Sequence, residues 1–191
     1  WHGHFATHEN KVRDYRKMMQ QIDLFERGAT GNVRDLTLQV ARTPAMLYFL
    51  DAQSNVKGAP NENFAREVME LFTMGVGNYT EKDVREGARA FTGWYFDDLT
   101  FKEDPAKHDA GDKTFLGKTG PCNGGDAIRI IFEQPVTAEF LAAKIYRFLV
   151  RDELSPALRT KLGAVLRDHE YDVKPLLTAI FRSKDFYSAA S

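Results

Sequence analysis

The chain has very little cysteine. Cys122 stands alone among 191 residues, so no disulfide can form within the chain. No apolar run reaches the ~18 residues needed to span a bilayer, and nothing reads as a signal peptide. Neither charge sign dominates: 26 Lys+Arg against 27 Asp+Glu leave a formal net charge of -1. That balance argues against a general nucleic-acid binder, which carries a basic surplus to meet the phosphates. Repeats, low-complexity tracts and dividing linkers are missing too. Complete motifs are also absent. GKTG at 117–120 looks like part of a phosphate loop, but Asp112 and Lys113 stand where the first Walker A glycine belongs. Glu67-x-x-Glu70 lacks the histidine that a ferritin-like carboxylate site carries. The polar loop 51–63 misses the calcium-loop pattern, with Gln53 at its third position and a late glycine. Its Asn, Asp and Ser residues are also ordinary turn formers.

What is present is enough for a packed core. Hydrophobic residues make up 43% and aromatics 12%, a fair complement for one domain spanning 1–191. Helical periodicity recurs through most of it. One helix carries Tyr15, Met18, Met19, Ile22 and Phe25 inward, and another starts at the N-cap Asn32. Pro44 opens a buried turn. A helix from about residue 61 to 74 packs Phe64, Val68, Leu71 and Phe72, with Asn63, Glu67 and Glu70 together on its flank. Thr80 and Asp83 form a near capping box for the next. Later helices follow at 125–132, at 136–150 with Leu141, Ile145, Phe148 and Leu149 inward, after Ser155-Pro156, and at 171–181. Between 94 and 120 the period breaks down into a β-hairpin or aromatic loop. The expected fold is all-α, an irregular bundle of about eight helices with this small insertion.

Several polar groups invite chemistry. His4 and His8 stand at i,i+4, yet a metal would need a third ligand; capping or surface histidines are the plainer reading. Glu67, Glu70, Glu81 and Arg85 lie beside apolar faces, where they suit either a carboxylate metal site or buried ion pairs, with Glu81–Arg85 as an i,i+4 pair. His108 beside Asp109 is the strongest cluster by composition, suited to a general base or a metal ligand, but Asp-x-Gly-Asp also makes turns. Lys144 and Arg147 stripe one helix edge. Three readings fit them: snorkelling stems, partners of Glu67 and Glu70, or an anion pocket.

These stretches together resemble a bacterial family known as domain of unknown function eighteen-hundred. The matching pieces are WHGHFAT, GNVRDL, ARTPAMLYFLD, NVKGAPNENFAREVMELFTMGVGNYTEKDVREGARAFTGW, HDAGDKTFLGKTG, QPVTAEFLAAKIYRFLV and YDVKPLLTAIFRSKDF, in family order. The resemblance implies a mostly helical protein, often exported, and hence a place in the bacterial envelope or outside the cell. Family members are longer, so this chain is expected to be a C-terminal portion against which the N-terminal part packs. The family supplies no catalytic assignment. Its polar signature here is His4, Asn61, Glu62, Glu67, Glu70, His108 and Asp109, and His8 departs from the small residue expected there.

The reading that needs least chemistry is a binding or assembly module, with Asn61, Glu62, Lys144 and Arg147 as ligand-binding candidates. The alternative is a metal-assisted hydrolase. In it Glu67 and Glu70, with His4 or His108, hold a divalent ion that activates water, and His108 and Asp109 are the catalytic candidates.

Overall fold

A computed structural model describes residues 1–188. Ten α-helices and two antiparallel hairpins make up its regular structure. The fold is mostly helical, as expected, but it has more and shorter helices than periodicity alone suggests. Local chemistry sets their starts. Helix α1 (Glu9–Val12) is capped by His8, whose Nδ1 accepts from Asn10 N at 3.1 Å, so this histidine has a structural use. Asp14 caps α2 (Tyr15–Gly28) and Asn32 caps α3 (Val33–Ala41). Thr43 and Pro44 open α4 (Pro44–Phe49).

Helix α5 (Asn63–Glu67) runs directly into a π-helical segment, Val68–Thr73. There Met74 N donates to Met69 O at 2.7 Å and Thr73 Oγ1 to Val68 O at 2.6 Å, both across five residues. The wider turn leaves Leu71 48% exposed between buried Met69 and Phe72. The reciprocal Thr80/Asp83 box starts α6 (Glu81–Ala90), as the sequence suggests.

The insertion holds two hairpins. Strands β1 (Trp94–Asp97) and β2 (Thr100–Glu103) pair, as do β3 (Lys113–Phe115) and β4 (Lys118–Gly120). Trp94 is buried, and the Arg42 guanidinium lies 5.4 Å from its ring and 5.0 Å from that of Phe101. Phe115 is wholly buried against Gly87, where a β-carbon would stand 3.1 Å from its ring.

Asn123 and Asp126 box the start of α7 (Gly124–Glu133). Helices α8 (Pro135–Leu149) and α9 (Pro156–Asp168) pack so closely that a β-carbon at Gly163 would stand 2.9 Å from Glu139 Cα. Helix α10 (Val173–Phe181) ends the regular structure. The two ends of the chain are joined by backbone bonds from Val33 N to Tyr171 O (2.9 Å) and from Val173 N to Gly31 O (3.1 Å). Asn32 Nδ2 adds a bond to Glu170 O at 2.6 Å, while its Oδ1 caps α3. Among the described residues no helix is long and apolar enough to cross a membrane.

Besides Leu71, three more residues expected inward face solvent instead. Tyr15 is 73% exposed, Met19 49% and Phe148 89%. Helix α8 buries Ala138, Leu141, Ala142 and Tyr146, so its core arc points away from Phe148.

Candidate functional site

The sequence candidates separate into two places, and one of them is consumed by structure. Helix α6 grips the insertion with three polar side chains. Asp83 Oδ1 accepts from Leu116 N at 2.8 Å, and Glu86 Oε2 from Thr114 N at 2.9 Å. Arg89 Nε donates to Asp109 at 2.8 Å, its Nη1 to Glu86 at 2.9 Å and to Asp112 O at 3.1 Å. Just past the helix, Thr92 Oγ1 accepts from Asp109 N at 2.8 Å. The buried Lys113 ammonium closes the loop from inside, donating to Asp109 O at 2.5 Å and Gly111 O at 2.9 Å.

His108 and Asp109 do not form an acid–base pair. His108 Nδ1 lies 2.9 Å from Thr92 O, which makes that nitrogen the donor, while the Asp109 carboxylate goes to Arg89. The Arg89 hydrogen bond, with help from Gly111 N, holds Asp109 down at about 2 against the opposing effect of burial. Such a carboxylate stays ionised and is a poor proton acceptor at neutral pH. Removing its cation tests this clamp. Arg89→Met leaves Asp109 and Glu86, both mostly buried, without their cation and with only the backbone donors Gly111 N and Thr114 N, and about 2 kcal/mol of stability is expected to be lost in denaturant titrations. Adding Asp109→Asn should restore part of it; equal stability of Arg89→Met and wild type would refute the clamp.

The loop 51–63 likewise spends much of its polar chemistry on bonds within the chain, around buried Asn55. Asn55 Nδ2 donates to Ala88 O at 2.8 Å and its Oδ1 accepts from Asn61 N at 2.9 Å. Asn61 reaches Ser54 Oγ at 2.7 Å and accepts from Asn63 N at 3.0 Å. Glu62 pairs with Arg66 at 3.1 Å. Arg66 also takes Glu81 at 2.8 Å, so the expected Glu81–Arg85 pair is replaced by a link between α5 and α6. The helix-to-helix partner wins because it offers both guanidinium nitrogens to both carboxylate oxygens.

The second place is where the π segment meets α8. His4 Nε2 lies 3.0 Å from Phe72 O, so it carries the proton, and its Nδ1 is buried without a partner. The ring sits among Trp1, Phe5 and Phe72. Burial first, and the nearby Lys144 cation second, lower its pKa to about 4, so it is neutral at pH 7. Glu70 accepts from Tyr79 Oη at 2.5 Å. Burial, then Glu70, pushes the Tyr79 phenol up to about 12, with the hydrogen bond ahead of the bare charge. Burial and then the Glu70 charge raise the Glu67 pKa. Tyr79 carries no signal in the sequence beyond its place nine residues past Glu70, just after the glycine turn.

On α8, the Lys144 ammonium rests 5.2 Å from the Phe140 ring centroid, and Phe140 packs on Gly75. Arg147 Nε donates to Asp152 O at 3.2 Å. Neither Lys144 nor Arg147 forms an ion pair with Glu67 or Glu70, the satisfaction that the sequence suggests. On and beside the same two elements the large apolar side chains of Leu71, Val76 and Phe148 stand exposed. Among the described residues, no three His, Cys, Asp or Glu side chains converge on a point where they would hold a metal ion, and His4, Glu67 and Glu70 are not brought together as a ligand set.

Searches of curated proteins and of solved structures found no match. A family model matches residues 1–191 in full. With the signature stretches folded into the α6 clamp and the α8 face, the chain belongs to the family described as Protein of unknown function (DUF1800).

Proposed function

We propose that this chain is a binding or assembly module of the bacterial envelope, and that its binding face is the junction of the π segment with α8. The supporting observation is the exposure of large apolar side chains on and beside the π segment and on α8: Leu71, Val76 and Phe148. Apolar surface left exposed in this way marks sites of protein interaction. The π segment strengthens the reading, because such turns are enriched at functional places. Placement at the envelope rests on the family resemblance. The metal-assisted hydrolase gains no support from converging ligands.

Photo-crosslinking tests this face. A benzophenone side chain placed at Phe148 in producing cells is expected to yield a discrete polypeptide adduct, which Leu71→Asp removes. The same probe at exposed Lys161 on α9 should give none. An adduct pattern identical at both positions, or no adduct at Phe148, would sink the proposal.

A further inference from the structure

Helices α9 and α10 leave an open groove of about 620 Å³ between them. Val165, Pro175 and Ala179 give it an apolar lining, while His169, Lys174 and Arg182 supply basic groups. Among the described residues none of the three basic groups meets a carboxylate, because the neighbouring acids are taken: Glu139 by Arg159, Asp168 by Arg167 and Asp185 by Arg151. His169 turns Nδ1 to Val165 O at 2.9 Å and keeps Nε2 free. Asp172 is the one carboxylate of the lining, and its Oδ1 is spent on capping α10 by accepting from Lys174 N at 3.0 Å. Two permanent cations against one carboxylate leave the groove with a positive surplus. Lys174 and Arg182 lie eight residues apart, so about 12 Å separates them along the helix axis.

We infer that this groove takes an extended acidic peptide, which seats an apolar side chain on Val165, Pro175 and Ala179 and sets carboxylates on Lys174 and Arg182. The spacing of the cations selects the pattern. An extended chain rises about 3.3 Å per residue and presents alternate side chains on one face, so residues i and i+4 span about 13 Å with i+2 pointing inward between them. An acid–x–apolar–x–acid segment therefore matches the cation–apolar–cation order of the groove, giving anchorage by apolar contact and register by charge. A nucleic-acid backbone would meet the cations but leave the apolar lining empty. The groove shares no residue with the π–α8 face and does not include Lys161, so this inference and the proposal above stand or fall independently.

Fluorescence anisotropy on the purified chain tests it, with the fluorescein-labelled peptide Gly-Asp-Ser-Leu-Ser-Asp-Gly as probe. Binding is expected at about 100 μM or tighter in low salt. Lys174→Glu with Arg182→Glu should weaken it at least about tenfold. That variant should instead take the same peptide with lysines in place of its aspartates, a swap of preference that misfolding would not give. Both positions are exposed, so the fold tolerates the change. Replacing the peptide's leucine with serine should weaken binding about fivefold or more. No binding up to about 1 mM, equal binding of the lysine peptide by the wild type, or indifference to the leucine overturns the inference. So does an oligothymidylate that displaces the probe at lower concentration than unlabelled peptide does, since that assigns the cations to phosphate.

Discussion

Acidification from pH 7 to pH 4 is expected to cost the fold about 3 kcal/mol through His4 alone. Its pKa falls from 6.5 to about 4 on folding. Between these values the unfolded chain binds a proton that the native state refuses, so stability drops as pH falls through that window and is fully present only above it. The cause is geometric: a ring enclosed by Trp1, Phe5 and Phe72, with the Lys144 ammonium nearby, has no room for a second charge. Urea titrations at pH 7 and pH 4 on wild type and His4→Asn will measure it. The variant should lose most of the pH dependence. Glu81 and Glu133, whose lowered carboxyl pKa values also cost stability as pH falls, are exposed and well screened, and Asp109, held down at about 2, gives up most of its stabilisation at lower pH. Glu67 acts with the opposite sign, because a raised carboxyl pKa adds stability as pH falls through it. Matching pH curves for wild type and variant would show that His4 is not buried as described.

Gly93→Ala is expected to destabilise the chain by about 3 kcal/mol, lowering its melting temperature by roughly 10 °C. Two penalties add at this residue. Its φ of +82° is costly for any residue with a β-carbon. That carbon would also lie 2.6 Å from Asp104 O and 3.1 Å from His108 N, both backbone atoms with little room to yield. Gly93 N bonds Asn55 O at 3.0 Å and Gly93 O accepts from Asp104 N at 2.8 Å, so a shift here loosens the 51–63 loop and the insertion together. Gly117→Ala is the control. It has φ +81° but nothing within 4 Å of the added carbon, so strain alone costs it about 1 kcal/mol. Equal losses in the two variants would rule out the steric contribution. Hydrogen exchange should quicken from residue 104 to 113 in Gly93→Ala only.

The starts of the helices were legible because capping is local: Asn32, Pro44, Thr80 with Asp83, and Ser155 with Pro156 all do what their spacing implies. The π segment was not, since the same residues satisfy a 3.6 period until tertiary packing widens the turn. Phe148 was misplaced for a related reason. An apolar residue at the border of an arc is assigned inward by pattern, while the structure decides which border is covered. The clamp residues were partly legible. His108 and Asp109 stand out by composition, but Glu86 and Arg89 acquire meaning only when β3 lies against α6. Ion-pair choice was the least legible. Arg66 takes Glu81 from a different helix, a decision that depends on where two helices cross and not on spacing along either.

The bond from Asn32 to Glu170 spans 138 residues. The residue that caps α3 therefore receives its second partner only when nearly all the chain is available. Closing so long a loop is slow compared with forming a helix turn. On the ribosome, α3 and α4 would exist for many seconds with their outer edge unlatched, at elongation rates of about 5–20 residues per second. Stability of the first half is thus borrowed from the last to emerge, and truncation anywhere before Tyr171 should leave a collapsed chain that is prey for proteases.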